Sequence, residues 1–411
     1  MRDYPIKAAI ALGYLIFAVL LNSVGTVILQ STEYFHASKL AATSLEASKD
    51  LPIAVVSFLV ASYLPRFGYR RGMIAGLLIV GLACAAMPAL NAFWATRLLF
   101  VAIGSSFAVV KVATYSSVGL LATNPRAHAS LLNLIEGVFM LGVLGGNWLF
   151  SAFIDANDPA SPRWLNVYWV LSAGCALAAL LLALSRLDER AAHGERVALS
   201  PAAALRAMWA LLTEPLTLVF IPAVFFYVLI EQGIGTWLPT FNRELLGLSA
   251  PLAVQAASIF AGGLALGRLG AGALVRRTGW YRLLIGCLIG MGVLILVALP
   301  LAQQHHGAPV ARWSDAPLAA ILLPLIGVLM APIYPAINSA VLSAITPERQ
   351  SAMVGLIVVF SALGGTTGSF IIGRAFALLD AGTAFHLLLI PTAILLGIVI
   401  ALNAKVRTNL A

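Results

Sequence analysis

Residues 61–71 read ASYLPRFGYRR, and residues 272–282 read GALVRRTGWYR. Laid over each other without a gap, they pair Arg66 with Arg277, Gly68 with Gly279, Tyr69 with Trp280 and Arg71 with Arg282. Each is a short basic loop between two long apolar runs. One loop recurring at the matching place in each half of a chain marks an internal duplication. Parallel repeats around a midplane site are an architecture of alternating-access transporters.

The surrounding composition fits. The chain has 411 residues, 61% hydrophobic and only 10% charged, with a mean hydropathy of +0.96. Soluble domains carry about 25% charged residues, so this is an integral membrane protein. Apolar runs of about 20 residues read as spanning helices, and uninterrupted runs favour a helical bundle over a barrel, whose strands alternate. Twelve spans are expected, near 8–29, 48–64, 73–91, 97–121, 129–153, 167–185, 216–238, 252–275, 281–301, 316–343, 352–378 and 384–404. The fold class is thus all-α membrane protein, with two pseudo-symmetric six-helix bundles. The largest polar interruption, Ser185 to Pro215, sets the division: residues 1–185 as the N-terminal bundle, 186–215 as a cytoplasmic linker, 216–411 as the C-terminal bundle.

The net charge of +9 sits mostly in short loops, the signature of membrane orientation rather than of nucleic-acid binding. With both termini in the cytoplasm, 17 Lys and Arg fall in cytoplasmic segments, Arg268 among them, and five outside, Lys49 among them. Arg97, Lys111 and Arg374 stay in or at the edge of spans. A multi-pass inner-membrane protein with a retained first helix is expected. Cys84, Cys175 and Cys287 lie inside apolar runs, which argues against a disulfide framework.

The two loops resemble the G-x-x-x-D-R-x-G-R-R signature of the major facilitator superfamily, with Pro65 and Arg276 at the acidic position. Three further stretches resemble the fucose–proton symporter family of sugar carriers: YVLIEQGIGTWLPTF from Tyr227 to Phe241, APIYPAINS from Ala331 to Ser339, and FGYRRGM from Phe67 to Met73. The resemblance implies sugar transport coupled to protons. Two positions tied to those tasks in that family differ here. Ser23 follows Asn22 where an acid is common, and Lys111 stands where the fourth helix carries a glutamate.

Charges inside spans are costly and face a cavity or one another. Lys111 and Glu136 lie at depths of roughly 15 and 11 Å in neighbouring spans, so an ion pair between them is expected. That pair is either structural or part of the solute path, and Tyr115, one turn from Lys111, shares its face. Glu231 has no evident cationic partner at its depth. Desolvation would then raise its pKa, which suits a proton carrier; a place in a polar vestibule is the other reading. Trp237 either stacks on a sugar ring or belongs to an interfacial belt. The amides of Asn22, Asn133 and Asn338 either meet solute hydroxyls or bridge helices, and Gln30 is a weaker candidate of the same kind. Tyr334 lies between Pro332 and Pro335, which should bend the tenth span. Gly142, Gly145 and Gly146 match Gly364, Gly365 and Gly368 in the other half; they either rock against one another or pack statically.

No phosphate-cradling loop, Cys/His cluster or nucleophile elbow is present, and the adjacent His305 and His306 have poor metal-ligand spacing. No cofactor, no metal and no enzymatic activity are expected. The expected function is secondary active transport of a small polar solute, a sugar or sugar derivative, with protons as coupling ion and Glu231 and Glu136 as coupling acids. The solute site would hold Lys111, Tyr115, Asn22, Asn133, Trp237, Asn338 and Tyr334. An alternative is a carrier or exporter of an anionic or amphipathic compound recognised through Lys111. A monomer in the lipid bilayer is expected.

Overall fold

The computed structural model describes residues 4–121, 125–185, 187, 189, 201–304 and 309–410. His305, His306 and most of the polar stretch before Pro201 fall outside them. The described residues form helices joined by short turns, with one isolated bridge between Leu248 and Val310. In order they are α1 (Tyr4–Asn22), α2 (Val24–Glu33), α3 (Lys39–Ala42), α4 (Ser44–Phe67), α5 (Tyr69–Leu90), α6 (Phe93–Leu121), α7 (Pro125–Ser151) and α8 (Val167–Leu184). There follow α9 (Pro201–Leu211), α10 (Pro215–Glu244), α11 (Ala250–Thr278), α12 (Trp280–Gln303), α13 (Ala319–Leu322), α14 (Ile326–Met330), α15 (Ile333–Leu342), α16 (Pro347–Leu378), α17 (Ala381–His386) and α18 (Leu389–Leu410).

Among the described residues, eleven helical stretches are long and apolar enough to cross a membrane. The remaining expected span is α4, whose first two turns carry Glu46, Lys49 and Asp50. The first span is two helices, α1 and α2, meeting at Ser23. The tenth is broken as its prolines require, with a turn at Ala331 and Pro332 between α14 and α15.

The chain forms two compact units. The first holds Met1–Val24, Leu45–Asp155 and Ala160–Ala202; the second holds Gly25–Ser44, Ala156–Pro159 and Ala203–Ala411. Helix pairing repeats between them. In the first, α1 packs on α7 and α5 on α8; in the second, α10 packs on α16 and α12 on α18. The same glycines make both central seams. A Cβ on Gly142 would lie 2.5 Å from the Leu15 carbonyl oxygen, and one on Gly146 would lie 3.3 Å from Val19 Cα. Gly364 and Gly368 press in the same way on the backbone of Phe225 and Leu229. In each unit the glycines are four apart, as are their partners, so small-xxx-small packing is duplicated. Each seam lies inside one unit.

The two basic loops share a backbone feature. Gly68 has φ 99° and Gly279 has φ 78°, a region that disfavours side chains; each glycine starts the next helix, α5 and α12 respectively. The acid missing at Pro65 is supplied from elsewhere. The Glu189 carboxylate accepts the Tyr69 and Arg70 amides at 2.9 and 3.0 Å, capping the positive end of α5, while Arg70 donates to the Ser185 carbonyl at 2.5 Å.

Candidate functional site

In the first unit, one face of α6 carries Phe107, Lys111 and Tyr115, spaced by four so that they stack one turn apart. Phe107 meets Tyr14 and Phe17 of α1, with ring centroids 6.2 and 5.6 Å away, and Phe139 of α7 at 6.0 Å. The face thus points toward α1 and α7. Lys111 is exposed, its Nζ 5.7 Å from the Phe107 ring centroid. A cation held over an aromatic face gains on the order of 0.5–2 kcal/mol.

The expected Lys111–Glu136 ion pair does not form: among the described residues no carboxylate lies within 4.0 Å of Lys111 Nζ. The reason is Tyr115, whose hydroxyl donates to Glu136 Oε1. Glu136 is thereby held one turn away from the lysine. Asn133, three residues before Glu136 on the same face of α7, is exposed. Asn22, at the end of α1, is also exposed and donates to the Ala18 carbonyl at 2.8 Å. The unit thus presents a cation, a tyrosine-bound carboxylate and two amides.

The second unit corrects the reading of Glu231. It does have a cationic neighbour: Arg268 Nη2 lies 3.6 Å from Glu231 Oε1, with the two side chains 40% and 19% exposed. Arg268 was expected in a cytoplasmic segment, but α11 runs on to Thr278. That places Arg268 ten residues, roughly 15 Å, inside the helix. The Tyr227 hydroxyl donates to the same Glu231 oxygen at 3.2 Å. The Tyr227 ring faces Tyr334 at 5.3 Å, and Tyr334 shares a hydrogen bond with Ser361 at 3.2 Å. Asn338 lies one turn beyond Tyr334 and is half-buried.

Trp237 stands apart. It is 0% exposed, donates from Nε1 to the Ser369 carbonyl at 2.9 Å, and stacks on Phe376 at 5.3 Å. Its ring is taken up by packing between α10 and α16. Gln30 is buried in α2, in the second unit.

One cluster escaped the sequence reading. Lys49, expected outside the membrane, is 5% exposed and lies 2.5 Å from Glu46 and 3.4 Å from Asp50. An apolar groove in the first unit is lined by Val56, Val60, Leu64, Ile79 and Val109.

Buried charges, paired and exposed mid-helix, on a duplicated bundle of membrane helices define a multi-pass transporter of small solutes, not an enzyme. The sequence profile of the Major Facilitator Superfamily matches residues 10–369, and the chain belongs to that superfamily. A search of curated protein sequences gave no match. Among solved structures, the chain is similar to the nucleoside transporter NupG, with 15% identity, 96% of this chain and 98% of that one covered, and TM-score 0.73. It is similar to a bacterial homolog of the human lysosomal transporter Spinster in an inward-facing, unoccupied conformation, at 14% identity, 99% and 96% coverage and TM-score 0.73. It is also similar to the E. coli fucose:proton symporter FucP, at 16% identity, 98% and 99% coverage and TM-score 0.61. These likenesses establish the shared fold.

Proposed function

We propose that the chain moves a small polar solute bearing an anionic group, an acidic sugar derivative, by alternating access with a proton as coupling ion. The observation that carries this reading is Lys111. It is an exposed cation in mid-helix with, among the described residues, no carboxylate at ion-pair distance. A lysine at that depth needs water or a counter-charge, and a solute carboxylate supplies one. The adjoining aromatic face of Phe107 shields the pair from water, which strengthens it. Asn22 and Asn133 offer donors and acceptors for hydroxyls. Among the similar structures are a nucleoside transporter and a fucose:proton symporter, which accords with a hydroxylated solute.

Glu231 is the coupling acid in this reading. Arg268 gives the carboxylate a counter-charge and the Tyr227 hydroxyl donates to it. It takes a proton when Arg268 turns away, and Glu136, held by Tyr115, is the second acid. The excess of Lys and Arg in one set of loops supports an inner-membrane protein with both termini in the cytoplasm.

A neutral sugar is the second reading, favoured by the exposed amides of Asn22 and Asn133. Uptake into proteoliposomes with and without an imposed pH gradient, comparing neutral sugars with their uronic acids, separates the two. Uptake of acids that is raised by a gradient supports the proposal; uptake of neutral sugars alone refutes the anionic reading.

A further inference from the structure

Residues 25–44 pack with the second compact unit, while the chain on either side, up to Val24 and from Leu45, belongs to the first. The segment holds α2 and α3. Only Ser23 separates α2 from α1, and only Thr43 separates α3 from α4. Two glycines seat it. A Cβ on Gly25 would lie 2.5 Å from the Thr236 carbonyl oxygen of α10, and one on Gly373 of α16 would lie 2.2 Å from Thr43 Cγ2. Two ion pairs fasten it to α10: Arg243 Nε to Glu33 at 3.0 Å and Lys39 Nζ to Glu244 at 2.7 Å, with the four side chains between 26% and 36% exposed. Lys39 also donates to the Phe376 carbonyl at 3.2 Å. Ion pairs this exposed are weak.

What lies under the segment is polar. Thr26 and Gln30, one turn apart on α2, are each 1% exposed, and Ser31 is 0% exposed. Among the described residues, none of their side-chain nitrogen and oxygen atoms has a hydrogen-bond partner, and the same holds for Thr240 Oγ1 on α10, also 0% exposed. The Gly25–Thr236 and Glu33–Arg243 contacts follow in the same order along both helices. So α2 lies parallel to α10, and Thr240 is level with Leu29 and Gln30. A buried polar atom without a partner costs free energy, and four such residues gathered in a short stretch call for a role. Hydroxyl and amide side chains both donate and accept, which suits them to water.

We propose that residues 25–44 are a strap that lets go of α10 and α16 as the transporter changes state, and that Thr26, Gln30 and Thr240 then line a water-filled opening between α2 and α10. The tethers require the release. One residue spans about 3.8 Å, so the strap cannot stay seated on the second unit once the first draws its ends away by more than a few ångströms. The fastening permits it. Exposed ion pairs exchange their partners for water at little cost, and the orphaned groups of α2 and α10 gain hydrogen bonds. The glycine slots return the strap to one seat, because they let the helices approach closely there. The inference rests on alternating access as proposed above, but not on the nature of the solute or on Lys111.

Labelling of single cysteines by a charged, hydrophilic maleimide tests it, on purified full-length protein in detergent with Cys84, Cys175 and Cys287 replaced by alanine. Gln30→Cys and Thr240→Cys should label slowly. With both ion pairs removed by Lys39→Met/Arg243→Met, each should label on the order of ten-fold faster. Thr217→Cys, buried near the start of α10, should stay slow in the same background, which shows that the unit has not unfolded. Arg243→Glu alone should also speed labelling at residue 30, and adding Glu33→Arg should slow it again, a rescue that a merely structural role for Arg243 would not give. No solute enters the assay, so its outcome is separate from that of the uptake panel. Labelling unchanged in Lys39→Met/Arg243→Met, labelling speeded equally at Thr217→Cys, or labelling not slowed by the reversed pair overturns the proposal.

Discussion

Gly142 and Gly145 lie three residues apart in α7, and alanine at the two positions should have opposite effects. A Cβ on Gly142 would stand 2.5 Å from the Leu15 oxygen and 2.6 Å from Ala18 Cβ, whereas one on Gly145 would meet nothing within 4 Å. Ordinary contact between such atoms is about 3.5–4.0 Å, so Gly142→Ala must drive α1 and α7 apart by about 1 Å. The clash is with α1 backbone, which moves only as a whole helix. Overpacking of this kind costs roughly 1–3 kcal/mol. Gly145→Ala adds no clash, and removal of a helical glycine gains up to about 1 kcal/mol. The two variants should therefore differ by roughly 2–3 kcal/mol, or about 4–12 °C in Tm for a unit of this size. Size-exclusion chromatography of heated, detergent-solubilised protein reads that difference. Equal melting of the two variants, or greater damage from Gly145→Ala, would refute the claim that this seam is set by backbone contact.

Glu231→Gln should abolish pH-driven accumulation while exchange of solute across the membrane survives; accumulation with an unchanged pH profile would remove Glu231 from coupling. Glu189→Gln should weaken the cap on α5 by about 1 kcal/mol, seen as roughly five-fold faster hydrogen exchange at the Tyr69 and Arg70 amides. Trp237→Phe should cost about 1–2 kcal/mol by stranding the Ser369 acceptor, with the apparent KM for solute unchanged. A raised KM would return Trp237 to the solute site.

Much of the fold was legible because its signals are local. Apolar run length reveals a spanning helix without knowledge of its neighbours, and a positive φ at Gly68 and Gly279 demands glycine wherever the loop recurs. The duplication could be read from those loops, and the Gly142/Gly146 and Gly364/Gly368 spacing lay in the sequence as well. What the glycines touch did not, since Leu15 and Phe225 are far away along the chain.

The sites were less legible for the same reason. Arg268 sat near two further arginines at the end of a long helix, so hydropathy placed it with the loop and left Glu231 without its neighbour. The Glu46–Lys49–Asp50 run looks like a solvated helix start, but the Leu21 carbonyl and the Gly104 backbone close on Lys49 from distant parts of the chain. Lys111 and Glu136 were correctly brought to the same region. Their separation depends on one tyrosine hydroxyl, whose direction no spacing rule gives.

The nature of the solute turns on Lys111. The most direct measurement is the initial rate of uptake into proteoliposomes of the best acidic solute from the panel, for wild type, Lys111→Met and Lys111→Arg, beside the neutral parent sugar. A lost charge-assisted contact of about 1.5–3 kcal/mol lowers kcat/KM by roughly ten- to a hundred-fold. Lys111→Met should show that loss for the acid, Lys111→Arg should recover part of it, and discrimination between acid and neutral sugar should collapse in Lys111→Met. Wild-type uptake of the acid by Lys111→Met, with discrimination intact, would contradict recognition of an anionic solute by this lysine.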